Sequence, residues 1–189
     1  MSATTSISVI PAILTALRGR RRTRVLGAQG GFLGLLLAKA AIDHEASGPL
    51  IYVARDEAHA RSAAADAGFF LGLSARESST LDSRVLVVPE IDSSPYGDAA
   101  TDPRVLAQRL GALYRLQAER DGWGVSPPEL IIVSLRSLLR KVIPRSAYAS
   151  LCHRWEKDGV IELDDAARNL GSDMGIKRGL LLCFIWHSS

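Results

Sequence analysis

The run Gly27-Ala28-Gln29-Gly30-Gly31-Phe32-Leu33-Gly34 follows a short apolar stretch, Val25-Leu26, and leads into an apolar, helix-like segment. That is where a phosphate-binding loop is built, with glycine amides and a helix N-terminus turned toward an anion. A loop of the G-x-x-x-x-G-K-[ST] type also needs a lysine for the β- and γ-phosphates and a hydroxyl for Mg²⁺. Aligned from Gly27, the template meets Phe32 at its second glycine, Leu33 at its lysine and Gly34 at its hydroxyl. The segment therefore reads as a degenerate nucleotide-binding loop, a scaffold without ATP chemistry.

The pattern around this loop alternates strand-like and helix-like segments, as expected of a parallel sheet with crossover helices. Residues 24–26 read as a first short strand and 32–45 as a helix ending near Ser47-Gly48-Pro49. The continuous apolar run 50–54 suits a strand buried on both faces, and Asp56 stands where it would cap a helix over 57–71. A third strand is predicted at 84–88. A loop containing Pro95-Tyr96-Gly97 follows, and then a helix from Pro103 to about residue 120. Leu106, Leu110, Leu113 and Leu116 recur at helical spacing and read as core. Residues 129–135 are predicted as a fourth strand with a short helix to Ile143, and beyond Pro144 the pattern gives a strand at 147–153, a turn at Asp158-Gly159 and a helix at 163–170. The expected fold class is α/β, a P-loop-NTPase-like (helicase-like) parallel sheet with flanking helices, followed by the start of a small α+β domain.

Composition narrows the function classes. The chain has 189 residues, 47% hydrophobic and 23% charged, which suits one ordinary core and the start of a second unit. No stretch approaches the roughly 20 apolar residues of a membrane span, so no membrane partner is expected and a cytoplasmic location is. Cys152 and Cys183 are too few for a disulfide framework. A net charge of +3 is too mild to define a nucleic-acid protein by itself. The cluster Arg18, Arg20, Arg21, Arg22 and Arg24 reads first as a solvated approach to a strand, with Arg20, Arg21 and Arg22 as candidate nucleic-acid contacts. Tyr96 reads either as a loop residue packed on the sheet edge or as a stacking partner for a base.

Three further patterns offer chemistry. Asp56-Glu57-Ala58-His59 spells a helicase box, but Arg55 separates it from the apolar strand and its lysine and hydroxyl partners are missing, so Asp56 is assigned as a helix cap. Cys152-His153 and Cys183-x-x-x-His187 lack the paired spacing of a zinc site. Ser134 lies in Val-Ser-Leu without the glycine-flanked turn of a serine nucleophile. No catalytic residue and no metal ligand are assigned. Two other classes stay open: a divergent P-loop NTPase, separated by ATP binding, and a free-standing nucleic-acid-binding module, separated by salt-dependent DNA binding.

Several stretches together resemble a known family: Val25-Leu26-Gly27 with its glycine-rich turn, Pro49-Leu50-Ile51-Tyr52-Val53, Glu90-Ile91-Asp92-Ser93-Ser94-Pro95-Tyr96, Arg109-Leu110-x-x-Leu113-Tyr114, and Ile132-Val133-Ser134-Leu135-Arg136-Ser137-Leu138-Leu139 with Pro144. Over residues 5–170 the chain resembles the N-terminal part of the bacterial transcription-repair coupling factor, Mfd, a region itself similar to the first domains of the excision-repair protein UvrB. UvrB carries the intact lysine and threonine in its loop, and the coupling factor a degenerate one, as here. The resemblance implies a degenerate domain over 1–149 and the beginning of a UvrA-interaction domain over 150–179. Residues 180–189 are then an apolar tail, expected either as a strand of a continuing domain or from truncation or a shifted frame. The resemblance also implies a non-catalytic interaction module, with UvrA as partner through the complete second domain, of which this chain carries the beginning. RNA polymerase, DNA, ATP and Mg²⁺ would belong to parts of the family protein missing here.

Overall fold

The computed structural model describes residues 9–19, 22–43, 48–74, 83–91, 102–120 and 126–151. The elements are α1 (Val9–Arg18), α2 (Gly30–Ile42), β1 (Leu50–Ala54), α3 (Glu57–Phe70), β2 (Val85–Val88), α4 (Pro103–Arg120), β3 (Leu130–Ser134), α5 (Leu135–Leu139) and α6 (Arg145–Leu151). The strands form one parallel sheet in the order β1-β3-β2, with Leu50 opposite Leu130 and Val85 opposite the same residue.

Side chains alternate across a strand, so this register builds two faces. On one face Leu130, Ile132 and Val85, with half-buried Leu50, Tyr52 and Val87, meet Leu33, Leu37, Ala38 and Ala41 of α2 and Ala60, Ala63 and Ala67 of α3. The alanines of α3 let the two helices approach closely while both rest on the sheet. On the other face Ile131, Val133, Leu86 and Val88 are covered by Ala112 and Leu116 of α4. That cover stops short of β1, where Ile51 and Val53 remain 60% and 43% exposed.

The strands at 50–54, 84–88 and 129–135 and the helices at 57–71 and 103–120 are where the sequence places them, to within a residue. Asp56 caps α3 as predicted, its Oδ1 accepting from the amide of His59 at 2.8 Å. Leu110 is buried, and Leu116 packs against the second cluster.

Three expectations need correction. Residues 24–26 form no strand: β3 has β1 on one side and β2 on the other, Leu26 is 76% exposed, and Thr23 Oγ1 is turned back to the carbonyl of Ala16. Residues 145–151 are helical rather than extended. Pro144 accepts from the amide of Tyr148 at 2.9 Å, and the Tyr148 hydroxyl donates to the carbonyl of Leu110 at 2.7 Å, docking α6 against α4. The short helix predicted to run to Ile143 ends at Leu139. Helix α1 was not foreseen, because its β-branched opening and Pro11 lower helix propensity; Pro11 sits in the first turn, where its missing amide hydrogen is not needed. The turn and helix predicted at 158–170 and the tail at 180–189 lie outside the described residues.

Candidate functional site

The glycine-rich turn leads into α2 as its spacing suggests. Gly27 and Gly30 adopt φ of 78° and 53°, the left-handed region that glycine enters without penalty. Gln29 is the N-cap, with no hydrogen bond from its side chain to the helix. Gly31 and Phe32 are exposed. Leu33, at the lysine position of the template, is turned inward and belongs to the core between α2, α3 and the sheet. Gly34, at the hydroxyl position, faces α3. A Cβ there would meet the Cβ of Asp66, stand 2.8 Å from the Asp66 carbonyl carbon and lie 3.0 Å from the amide nitrogen of Ala67. Both positions that would carry phosphate and metal chemistry are thus occupied by packing.

The C-terminal edge of the parallel sheet, where α/β proteins commonly bind ligands, holds a cleft of about 600 Å³ lined by Asp56, Glu57, Glu90, Asp102, Arg61 and Arg136, among others. Its groups come from the ends of all three strands and the beginnings of α3, α4 and α5. Beneath it is a polar knot. The Arg109 guanidinium, 4% exposed on α4, donates to the carbonyl of Pro89 at 2.8 Å, to the carbonyl of Ser137 at 3.3 Å and to the Ser137 hydroxyl. Ser137 Oγ donates in turn to Pro89 O at 3.1 Å. Ser134, fully buried, caps α5 by accepting from the Ser137 amide at 3.0 Å, and donates to Glu90 Oε2 at 3.0 Å.

Glu57 extends the network: its Oε2 accepts from the Glu90 amide at 3.0 Å and its Oε1 from Arg61 at 3.0 Å. Arg136 stands 3.8 Å from Glu90 Oε1. Asp56 accepts from Arg55 as well as from His59, and Asp102 caps Arg104 at 2.9 Å. Each carboxylate in the cleft has a donor within the protein.

The electrostatics agree with this use of charge. Burial pushes the Arg109 guanidinium down from its ordinary value, Arg140 pushes the same way, and Glu57 opposes them. The backbone hydrogen bond from His59 holds the Asp56 carboxyl below its usual range against a desolvation cost, with Arg55 adding to the lowering. Burial raises the Tyr52 phenol, which lies 2.9 Å from His59 Nε2.

Of the candidate nucleic-acid contacts, Arg22 is described and exposed; Arg20, Arg21 and Tyr96 lie outside the described residues. Cys152, His153, Cys183 and His187 do so too, and among the described residues no group of three or more His, Cys, Asp or Glu side chains is placed to hold a metal. Ser134 presents no exposed oxygen to a substrate, which removes the nucleophile reading on geometric grounds.

Arg109 and Ser137 were not singled out as site residues by the sequence. Their signal was present in another form: Glu90, Arg109, Ser134 and Ser137 all lie in the stretches that carry the family resemblance, and they converge at this one edge.

The fold and site define a small parallel α/β module whose loop positions are packed and whose edge charges are satisfied internally. Comparison with curated proteins gives its relationship. The chain is related to the N-terminal region of the transcription-repair coupling factors, being 35% identical over 158 residues to the "Transcription-repair-coupling factor" of Myxococcus xanthus. The match takes in 84% of this chain and 12% of that protein, so the chain spans about an eighth of the relative's length. No protein-family model matches the chain, and neither does any solved structure.

Proposed function

We propose that this chain acts in transcription-coupled nucleotide excision repair as a non-catalytic interaction module, a P-loop-like scaffold similar to the first domain of UvrB that holds no nucleotide and contributes to binding UvrA. The observation that carries this reading is the fate of Leu33 and Gly34. One is a core residue and the other a close contact between helices, so neither position can receive a phosphate lysine or a metal-binding hydroxyl without disturbing α2 and α3. The relationship to the coupling factor supplies the process. UvrA recognition is assigned to residues 150–179, whose sequence resembles the opening of the UvrA-interaction domain. RNA polymerase, DNA, ATP and Mg²⁺ are assigned to other parts of the longer relative.

The test is calorimetric titration of the full chain with purified UvrA, repeated with the Trp155→Ala variant. Saturable binding to the native chain, weakened at least tenfold in the variant, is expected. Equal affinity of the two would move the contact away from the second segment, and absence of binding by the native chain would overturn the partner assignment.

A further inference from the structure

The stretch from β3 through α6 carries cations without acidic residues, a pattern it shares with residues 1–42 of the sequence. Residues 130–151 contain no Asp or Glu, and Arg136, Arg140, Lys141 and Arg145 are all exposed. Between them Leu135, Leu138, Leu139, Val142 and Ile143 are exposed as well, Leu139 to 77%. Leu135, Leu138 and Leu139 share one side of α5 through their three- and four-residue spacing. The opposite side carries Ser137, which is held by Arg109. The strip cannot rotate its apolar residues inward without breaking the buried knot. A contiguous apolar surface interleaved with cations is unfavourable in water and marks a place that another surface covers.

The chain holds a complementary sequence a short distance further on. Residues 156–165, Glu-Lys-Asp-Gly-Val-Ile-Glu-Leu-Asp-Asp, interleave Val160, Ile161 and Leu163 with Glu156, Asp158, Glu162, Asp164 and Asp165. We propose that this acidic segment docks within the same chain on the basic, apolar strip of residues 135–145. The tether permits it. Helix α6 spans about 10 Å at 1.5 Å per residue, and residues 152–160 reach about 30 Å when extended, enough to return along the helix to α5. Opposite charge fixes the orientation, and burial of Val160, Ile161 and Leu163 against Leu138, Leu139 and Val142 provides the larger share of the affinity. A tether this short also raises the effective concentration of the segment, so a small contact area suffices.

The docking segment lies within the residues assigned to UvrA recognition, so the test is read on the chain without UvrA, where loss of protection reports the contact in cis and not the UvrA assignment. In the full chain, amide hydrogen exchange over residues 138–143 is measured in the native protein, in Glu162→Lys/Asp164→Lys, in Arg140→Glu/Lys141→Glu, and in the chain carrying all four changes. The altered side chains on the strip are exposed, and circular dichroism confirms that each variant is folded. Exchange is expected to rise at least fivefold in either double variant and to fall back toward the native rate when the charges are swapped together. Carbodiimide coupling in the native chain is expected to join Lys141 to Glu162, Asp164 or Asp165 within one molecule. Unchanged exchange in both double variants would overturn the proposal, as would failure of the swap to restore protection. Links found only between differently isotope-labelled copies would overturn docking in cis, and protection acquired only on adding anionic lipid vesicles or duplex DNA would assign the strip to another partner.

Discussion

The first turn of α2 and the C-terminal edge of the sheet are two places where α/β proteins commonly carry ligand chemistry, and their residues are used differently here. At α2 they are used for packing: Leu33 fills the core, and Gly34 lets α3 approach to a distance that no other residue permits. At the sheet edge the charged residues remain, directed at one another. Arg109, Ser137, Ser134, Glu90 and Glu57 form a continuous set of hydrogen bonds joining α4, β2, β3 and α3. The difference shows that the packing use of a position can be read from residue types in the first case, and only from geometry in the second. A glycine-rich loop missing its lysine announces itself in sequence, whereas a cleft full of carboxylates and guanidiniums looks functional until their partners are known.

The largest expected effect comes from restoring the hydroxyl to the loop. Gly34→Thr forces a Cβ and its branches into the backbone of Asp66 and Ala67, and should lower stability by about 3 kcal/mol, at the upper end for overpacked sites. Urea unfolding would show this as a fall in midpoint with little change in slope. A neutral Gly34→Thr would break the comparison, because position 34 would then be free to serve a ligand.

A smaller loss is expected at the other region. Arg109→Met keeps much of the volume but leaves Pro89 O without the guanidinium donor and the Ser137 carbonyl without its bond, costing about 2 kcal/mol. Ser134→Ala removes the α5 cap and one bond to Glu90, and should cost about 1 kcal/mol. If the edge is one cooperative network, the two losses will fall short of or exceed their sum in the double variant by a measurable coupling; strict additivity would reduce the knot to separate contacts.

The smallest effect is a pH dependence at Asp56. Its carboxyl is held below the ordinary value in the folded chain, chiefly by the His59 amide, so its contribution is complete above the unfolded value and is lost as pH falls through the folded one. Asp56→Asn keeps an oxygen for the cap but cannot titrate. The difference in melting temperature between the native chain and Asp56→Asn should therefore narrow between neutral pH and the acidic end of the carboxylate range. A constant difference would mean that the cap interacts equally with both protonation states.

Much of the sheet was legible because its strands are dense apolar runs bounded by clear breakers. Leu50–Ala54 follows Gly48-Pro49 and is ended by a capping aspartate, and Leu130–Ser134 follows Pro127-Pro128. Residues 24–26 misled because Val25-Leu26 has strand propensity, while pairing depends on where the chain runs: Thr23 is tied back to Ala16 of α1 and Leu26 stays exposed, although β1 and β2 each keep an open edge. Residues 147–151 misled in the opposite direction: Tyr148 and its neighbours look extended in isolation, and the bond from Tyr148 to Leu110 on a distant helix decides for α6. At the site, the departure of Leu33 and Gly34 from the phosphate-loop template could be read from their residue types alone. The role of Arg109 could not, since its partners Pro89 and Ser137 lie 20 and 28 residues away in sequence.

Whether the loop at Gly27 to Gly34 is scaffold is tested most directly by isothermal titration of the full chain with ATP and Mg²⁺, beside the Leu33→Lys variant. No saturable heat is predicted for either protein, since Phe32 still occupies the second glycine position and Gly34 offers no metal ligand. Mg²⁺-dependent ATP binding in the micromolar range by the native chain would contradict the scaffold reading, and robust binding gained by Leu33→Lys alone would contradict the placement of Leu33 as a residue of the core.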